Sequence, residues 1–287
     1  MTAVSLEGRT VVVTGGSMGI GYACAEEILR RGGAVVICAR GEEGLKSAAQ
    51  KLSALPGACV RAVRADVTSA DDVVRVLDAA RELGSLAGVV HAAGVYGPIG
   101  PVVTVDPAAW LDAIRVNLFG TFLVAREACR HMIAHGVRGS VVLMSGGGAA
   151  TPFPNYTSYA CGKVGVVRFT ETLALEVAEH GIRVNCVAPG FVATRLHEQT
   201  LAAGEALAGS FVEKTKAELA KGGVPASVSA RTAAFLLSPR AAGITGRFVA
   251  APYDGWEEWP ERLEQIAGSD LFTLRRIVPR DRGMDWQ

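Results

Sequence analysis

Six short apolar runs recur along this chain: Thr10–Val13, Ala34–Ala39, Val60–Val63, Gly88–His91, Ser140–Met144 and Arg183–Val187. They do not alternate apolar with polar residues. Strands of that kind are buried on both faces and belong to parallel sheets covered by helices. Helical patterns fill the intervals, at 19–31, 42–54, 70–82, 107–135, 157–179 and 226–238. Repeated strand–helix alternation predicts an α/β fold built on a doubly wound parallel sheet, closed by a seventh strand at Ile244–Val249. No Pro/Gly/Ser linker or internal repeat divides the 287 residues, and 49% of them are hydrophobic, enough for one large core. The chain therefore reads as one domain over 1–251 with an extension over 252–287.

Two stretches carry chemistry. Thr14-Gly-Gly-Ser-Met-Gly-Ile-Gly21 follows the first apolar run and precedes a helix with Ile20, Cys24 and Ile28 at four-residue intervals. A strand, a glycine turn and a helix N-terminus form a phosphate cradle, because glycines admit the pyrophosphate and the helix dipole favours its charge. Gly15, Ser17, Met18, Gly19, Ile20 and Gly21 are its candidate ligands. The spacing Gly-x-x-x-Gly-x-Gly departs from the usual Rossmann fingerprint. The second stretch, Ser145 to Lys163, leaves an apolar strand, crosses a Gly/Pro loop and enters a helix carrying Tyr159 and Lys163. Four residues apart, these lie on one helix face. A cation beside a phenol favours the phenolate and lowers the Tyr pKa, as a proton donor working near neutral pH requires.

T-G-x-x-x-G-x-G near the N-terminus together with S…Y-x-x-x-K downstream resembles the short-chain dehydrogenase/reductase family, over about residues 5 to 250. The resemblance implies a Rossmann-like fold, a nicotinamide cofactor, Tyr159 as proton donor or acceptor, and Lys163 holding the nicotinamide ribose. It implies that Asn117, an interior helix position where an amide competes for backbone groups, sits at a kink and holds a relay water. It also implies that Asp66 and Val67 receive the adenine, and that Ala92, Ala93 and Gly94 lie along the adenosine ribose. Pro189, Gly190, Val192 and Thr194 resemble the loop that holds the carboxamide. The family mostly has Asn-Asn-Ala-Gly where this chain has His91-Ala92-Ala93-Gly94, so Ala92 offers backbone alone, and His91 reads as a buried histidine satisfied by neighbouring backbone. The catalytic serine mostly stands thirteen residues before the tyrosine. Here that position is Gly146, and Ser145 is one residue further away. Either the three-glycine loop lets Ser145 reach the substrate oxygen, the reading favoured here, or the hydroxyl is displaced.

The second strand ends Cys38-Ala39-Arg40-Gly41, with no acid at the turn. An acid there would bind the ribose 2′-hydroxyl of NAD, and a basic residue accommodates the 2′-phosphate of NADP. Arg40 thus favours NADP(H), with NAD(H) the alternative. Residues 195–223 form a candidate lid whose Arg195, His197, Glu198, Gln199, Glu213 and Lys214 favour a polar, sugar-like substrate or secondary metabolite; His197 reads equally as a solvated helix-face residue. The tail holds three of the four tryptophans and a basic stretch, which suits packing on the domain or a neighbouring subunit.

A net charge of +1 gives no basis for nucleic acid or an anionic membrane as partner. No apolar run approaches transmembrane length, the N-terminus shows no signal-type apolar region, and the six scattered cysteines read as reduced core thiols, with Cys161 a small packing residue. These features favour a cytoplasmic protein with a small-molecule substrate, and the resemblance implies a homodimer or homotetramer formed through the long helices. The reading is an NADP(H)-dependent oxidoreductase of a secondary alcohol or ketone. An epimerase that oxidises and re-reduces with bound cofactor, and a non-enzymatic NADP-sensing scaffold, are the alternatives.

Overall fold

The computed structural model describes residues 4–286. Seven strands, β1 (Thr10–Thr14), β2 (Ala34–Ala39), β3 (Val60–Arg64), β4 (Leu86–His91), β5 (Ser140–Met144), β6 (Arg183–Ala188) and β7 (Phe248–Ala250), form one sheet in the order β3-β2-β1-β4-β5-β6-β7. All pairings are parallel, with Val12 opposite Val36 on one side and Val89 on the other. The chain winds outward in both directions from β1 and β4. The crevice beyond their carboxyl ends is where such sheets bind ligands.

Helices α1 (Gly19–Arg30), α2 (Glu42–Ser53) and α9 (Ala226–Leu237) bury Ile28, Leu52 and Phe235 in the core on one face. On the other face α3 (Ala70–Leu83), α5 (Gly120–Ala134) and α6 (Thr157–Glu176) bury Leu77, Met132 and Val166. Local chemistry sets several starts: Ser69 accepts from the Asp72 amide to open α3, and Asp106 accepts from the Ala109 amide to open α4 (Pro107–Ile114), with Pro107 in the first turn.

Four features differ from the sequence expectation. First, β3 is an edge strand, and it exposes Arg61, Ala62 and Arg64 instead of burying both faces. Second, the kink expected at Asn117 takes the form of a π-helical turn at Arg115–Phe119, inside a 28-residue helical stretch where no run of transmembrane length was expected. By length and composition Pro107–Ala134 is nevertheless apolar enough to cross a membrane, and in the fold it packs on α3, α6 and β4. Third, the lid is two helices, α7 (Arg195–Ala208) and α8 (Phe211–Ala220), and positive φ at Gly204 and Gly209 breaks the path. Fourth, Cys161 is exposed rather than packed; all six cysteines are free thiols, and Cys24, Cys38, Cys129 and Cys186 are buried.

Beyond β7 the chain packs on its own domain. Trp256 and Trp259 enter the core beside Ile266, in α10 (Leu263–Ala267). The Arg247 guanidinium donates to the carbonyls of Ile266, Ala267, Ser269 and Leu271. The Phe248 amide donates to Phe272 O at 2.7 Å, so the tail runs along the outer edge of β7.

Candidate active site

Every residue expected at the site stands at the carboxyl edge of the sheet or on a helix facing it. After β1, Gly15 turns the chain with φ +66, and a Cβ there would lie 2.9 Å from the Ala93 amide nitrogen. Gly21 packs on the Gly15 carbonyl so closely that any side chain would collide. The first turn of α1 has no side-chain cap at Met18, which leaves its amides free for an anion. Ser17 and the half-exposed Met18 lie in the turn, and Gly19 (φ +56) faces Thr194. This glycine cradle fits a dinucleotide pyrophosphate. Arg40 projects past β2, its Nη1 4.0 Å from Asp66 Oδ2. Asp66 Oδ1 accepts from the Thr68 amide and hydroxyl, an Asx turn that spends one carboxylate oxygen locally. Val67 is buried against Gly120.

A cavity of about 780 Å³ opens beside the cradle. Ile20, Ala92, Gly94, Ser145, Tyr159, Lys163, Pro189, Gly190, Val192 and Thr194 all border it. Tyr159 and Lys163 share one face of α6, with the ammonium 5.6 Å from the phenol ring centroid. The ammonium donates to Met144 O at 2.9 Å. A Cβ on Gly94 would stand 3.4 Å from Lys163 Nζ and 3.0 Å from Asn117 Oδ1, so Gly94 is the point where the three segments converge.

The electrostatics differ from the expected lowering of the Tyr159 pKa. Burial raises the phenol above its usual value, and burial also lowers the Lys163 ammonium to about 8. Both groups lose water, and removing water penalises whichever form carries charge. Tyr159 therefore stands protonated at neutral pH.

Asn117 lies in the π turn, fully buried. Its amide grips Val95 on both sides, accepting from the amide at 3.1 Å and donating to the carbonyl at 2.7 Å. Its own carbonyl accepts from Thr121 Oγ1 at 2.7 Å. These contacts make it the brace of the segment after β4. Ser145 also takes a different place. Its amide continues the sheet by donating to Val187 O, and its buried hydroxyl donates to Lys163 O at 3.1 Å. Gly146 faces the tyrosine instead: a Cβ there would lie 2.5 Å from Tyr159 Oη. The three-glycine loop does not carry the Ser145 hydroxyl round to the phenol.

His91 is buried as expected, but Thr14 Oγ1 partners its Nδ1 at 2.8 Å in place of backbone. Burial lowers its pKa to about 3, so it is neutral. His197 is no solvated helix-face residue. It is buried, with its ring 3.9 Å from that of Phe191, and it borders the cavity.

With this geometry in place, relatives become informative. The family model for short chain dehydrogenase matches residues 9–204. The chain belongs to the short-chain dehydrogenase family. It is 42% identical over 193 residues to the cis-4-hydroxycyclohexanecarboxylate dehydrogenase of Sinomonas cyclohexanicum, covering 66% of this chain and 75% of that protein. It is 36% identical over 245 residues to 3beta-hydroxysteroid dehydrogenase 1 of Eggerthella lenta, covering 84% and 91%. Among solved structures, a short-chain type dehydrogenase/reductase from Mycobacterium ulcerans matches at TM-score 0.77 and 31% identity, covering 96% of this chain and 100% of its own. An actinorhodin polyketide ketoreductase with NADPH matches at TM-score 0.75 and 29% identity, covering 87% and 97%. An NAD+-bound xylitol dehydrogenase matches at 0.78 and 25%, covering 85% and 97%. The family fold thus implies a nicotinamide dinucleotide, and both its phosphorylated and unphosphorylated forms occur among similar structures.

The residues that sequence reasoning missed are the aromatic cavity walls, Tyr96, Phe153, Phe191, Phe211 and Tyr253. They come from loops and helices far apart in the chain, and no local spacing links them.

Proposed function

We propose that this chain is an NADP(H)-dependent oxidoreductase that interconverts a secondary alcohol and a ketone, with Tyr159 as the proton-transfer group. The observation that carries the reading is the placement of the protonated Tyr159 hydroxyl against Gly146, at the wall of a cavity that Lys163 and the glycine cradle share. The nicotinamide, when bound, supplies or accepts the hydride. The chain moves the proton. In reduction the Tyr159 hydroxyl donates to the substrate oxygen, and in oxidation the phenolate takes that proton back. Lys163, fixed by Met144 O, favours the phenolate as it forms. Asn117 acts as a positioning residue that holds the Val95 backbone beside Lys163.

Arg40 supports NADP(H) over NAD(H). Its guanidinium is exposed past β2, while Glu42, the nearest acid along the chain, is paired with Lys46 at 2.7 Å within α2 and does not stand free for a ribose. Gly15, Ser17, Met18, Gly19, Ile20 and Gly21 would hold the pyrophosphate. Asp66, Val67, Ala92, Ala93 and Gly94 would line the adenosine end, and Pro189, Gly190, Val192 and Thr194 the nicotinamide end. The relatives act by name on substrates as different as a cyclic acid and a steroid, so this chain's substrate must be read from its own cavity. Association of like chains through the outer faces of α5 and α6 belongs to the same reading. So does the assignment of 252–287 as an extension of a single catalytic domain.

The test pairs two variants. NADPH and NADH are titrated by fluorescence against wild type, Tyr159→Phe and Arg40→Ala, and ketone reduction is assayed in parallel. Tyr159→Phe should lose about 10²–10⁴-fold in turnover with cofactor binding retained. Arg40→Ala should weaken NADPH and leave NADH unchanged. Retained turnover in Tyr159→Phe would refute the proton-transfer role.

A further inference from the structure

The cavity walls are more apolar than the lid's composition suggests. Tyr96 stands edge-on to Tyr159 with centroids 4.9 Å apart, and Phe153 edge-on to Phe211 at 4.7 Å. Phe191 lies against His197 at 3.9 Å. Rings packed against rings are fixed walls, and apolar walls with a few placed polar groups select a ligand by shape. Two of the lid's acids are engaged with neighbouring lysines: Glu213 pairs with Lys216 at 2.7 Å, and Glu218 with Lys221 at 3.0 Å. That pairing leaves an imbalance. The charged side chains bordering the cavity are Lys163, Lys214 and Glu218. Lys163 is committed to Met144 O and to Tyr159, and Glu218 is neutralised by Lys221. Among the described residues Lys214 has no carboxylate partner, and it stands exposed on α8 where the helix borders the cavity.

We propose that the cavity takes a cyclic alcohol or ketone bearing an anionic substituent. The ring lodges among Phe153, Phe191 and Phe211, and the anion, a carboxylate, meets Lys214 at the rim. The inference rests on the oxidoreductase reading above and narrows its substrate. A ring satisfies the rigid aromatic walls with little loss of conformational freedom. Lys214 is a solvated charge, so its contribution is modest, roughly two- to fivefold in KM, and it is screened by salt.

Initial rates of NADPH oxidation with the full-length protein test this. The probes are 4-oxocyclohexanecarboxylate, its methyl ester and a neutral open-chain ketose, each assayed with wild type, Lys214→Met and Lys214→Arg at low and high salt. The acid should be the best substrate. Its KM should rise roughly two- to fivefold in Lys214→Met, return toward wild type in Lys214→Arg, and rise with salt, while KM for the ester stays constant throughout. Equal use of acid and ester by wild type, or a Lys214→Met effect shared by both, would overturn the anion assignment and leave the Tyr159 reading intact. Preference for the ketose would overturn the ring assignment. No turnover of any carbonyl compound, with NADPH still bound, would overturn the oxidoreductase reading and this inference with it.

Discussion

A methyl group added at Gly146 would sit 2.5 Å from the Tyr159 hydroxyl, well inside contact distance. The phenol is therefore held against bare backbone at the position where the resembled family mostly carries a serine. Gly146→Ala should push the hydroxyl aside and lower kcat roughly 100-fold, since displacements of about 1 Å at a reacting group have that cost. The cofactor Kd and Tm should barely move. A Gly146→Ser variant faster than wild type would show instead that the site lacks a serine it could use. The pH profile follows from Lys163. Its pKa is lowered to about 8, so the cation that stabilises the Tyr159 phenolate is present below that pH and lost above it. The kcat/KM for ketone reduction should hold steady up to about pH 8 and then fall tenfold per unit. A profile still flat at pH 10 would detach Lys163 from the proton transfer.

At the scale of elements, the π turn at Arg115–Phe119 matters twice. It turns Asn117 inward to brace Val95, and it sets Phe119 and Phe122 outward, half-exposed, with rings 6.0 Å apart. Phe122 also meets Phe169 of α6 at 6.1 Å, so the two helices present one apolar surface. Exposed patches of this kind usually mark association. Phe122→Glu should reduce the sedimentation coefficient toward that of a single chain while far-UV circular dichroism stays unchanged. A wild-type protein already sedimenting as a monomer would remove this face from consideration. The interior Asn in the 107–135 pattern pointed to a kink, because an amide competes with helix carbonyls. Which way the side chain would turn, and that it would grip Val95, depended on a segment twenty-two residues earlier.

Across the whole molecule, the tail after β7 behaves as part of the domain. Trp259 is 2% exposed and lies against Phe272 at 4.3 Å, and Arg247 ties four tail carbonyls to the sheet edge. By covering the edge of β7, the tail protects a strand that would otherwise offer free amides and carbonyls to another chain. Trp259→Ala should lose about 3–5 kcal/mol in urea unfolding, whereas Trp286→Ala, 63% exposed, should stay within about 0.5 kcal/mol. Equal, small effects would mean that the tail adds nothing to the fold.

Periodicity and glycine spacing were enough to read the doubly wound sheet, the cradle after β1 and the pairing of Tyr159 with Lys163. Each of these depends on residues close in sequence, where strand and helix geometry leaves few choices. Three features were decided only by tertiary packing. The Ser145 hydroxyl turned to the Lys163 carbonyl because its amide continues the β5–β6 ladder. Burial, acting from several elements at once, reversed the expected direction of the Tyr159 pKa. The cavity wall proved aromatic because Phe153, Phe191 and Phe211 converge from three segments. Contacts between distant segments, and the water they exclude, leave no local pattern in a sequence.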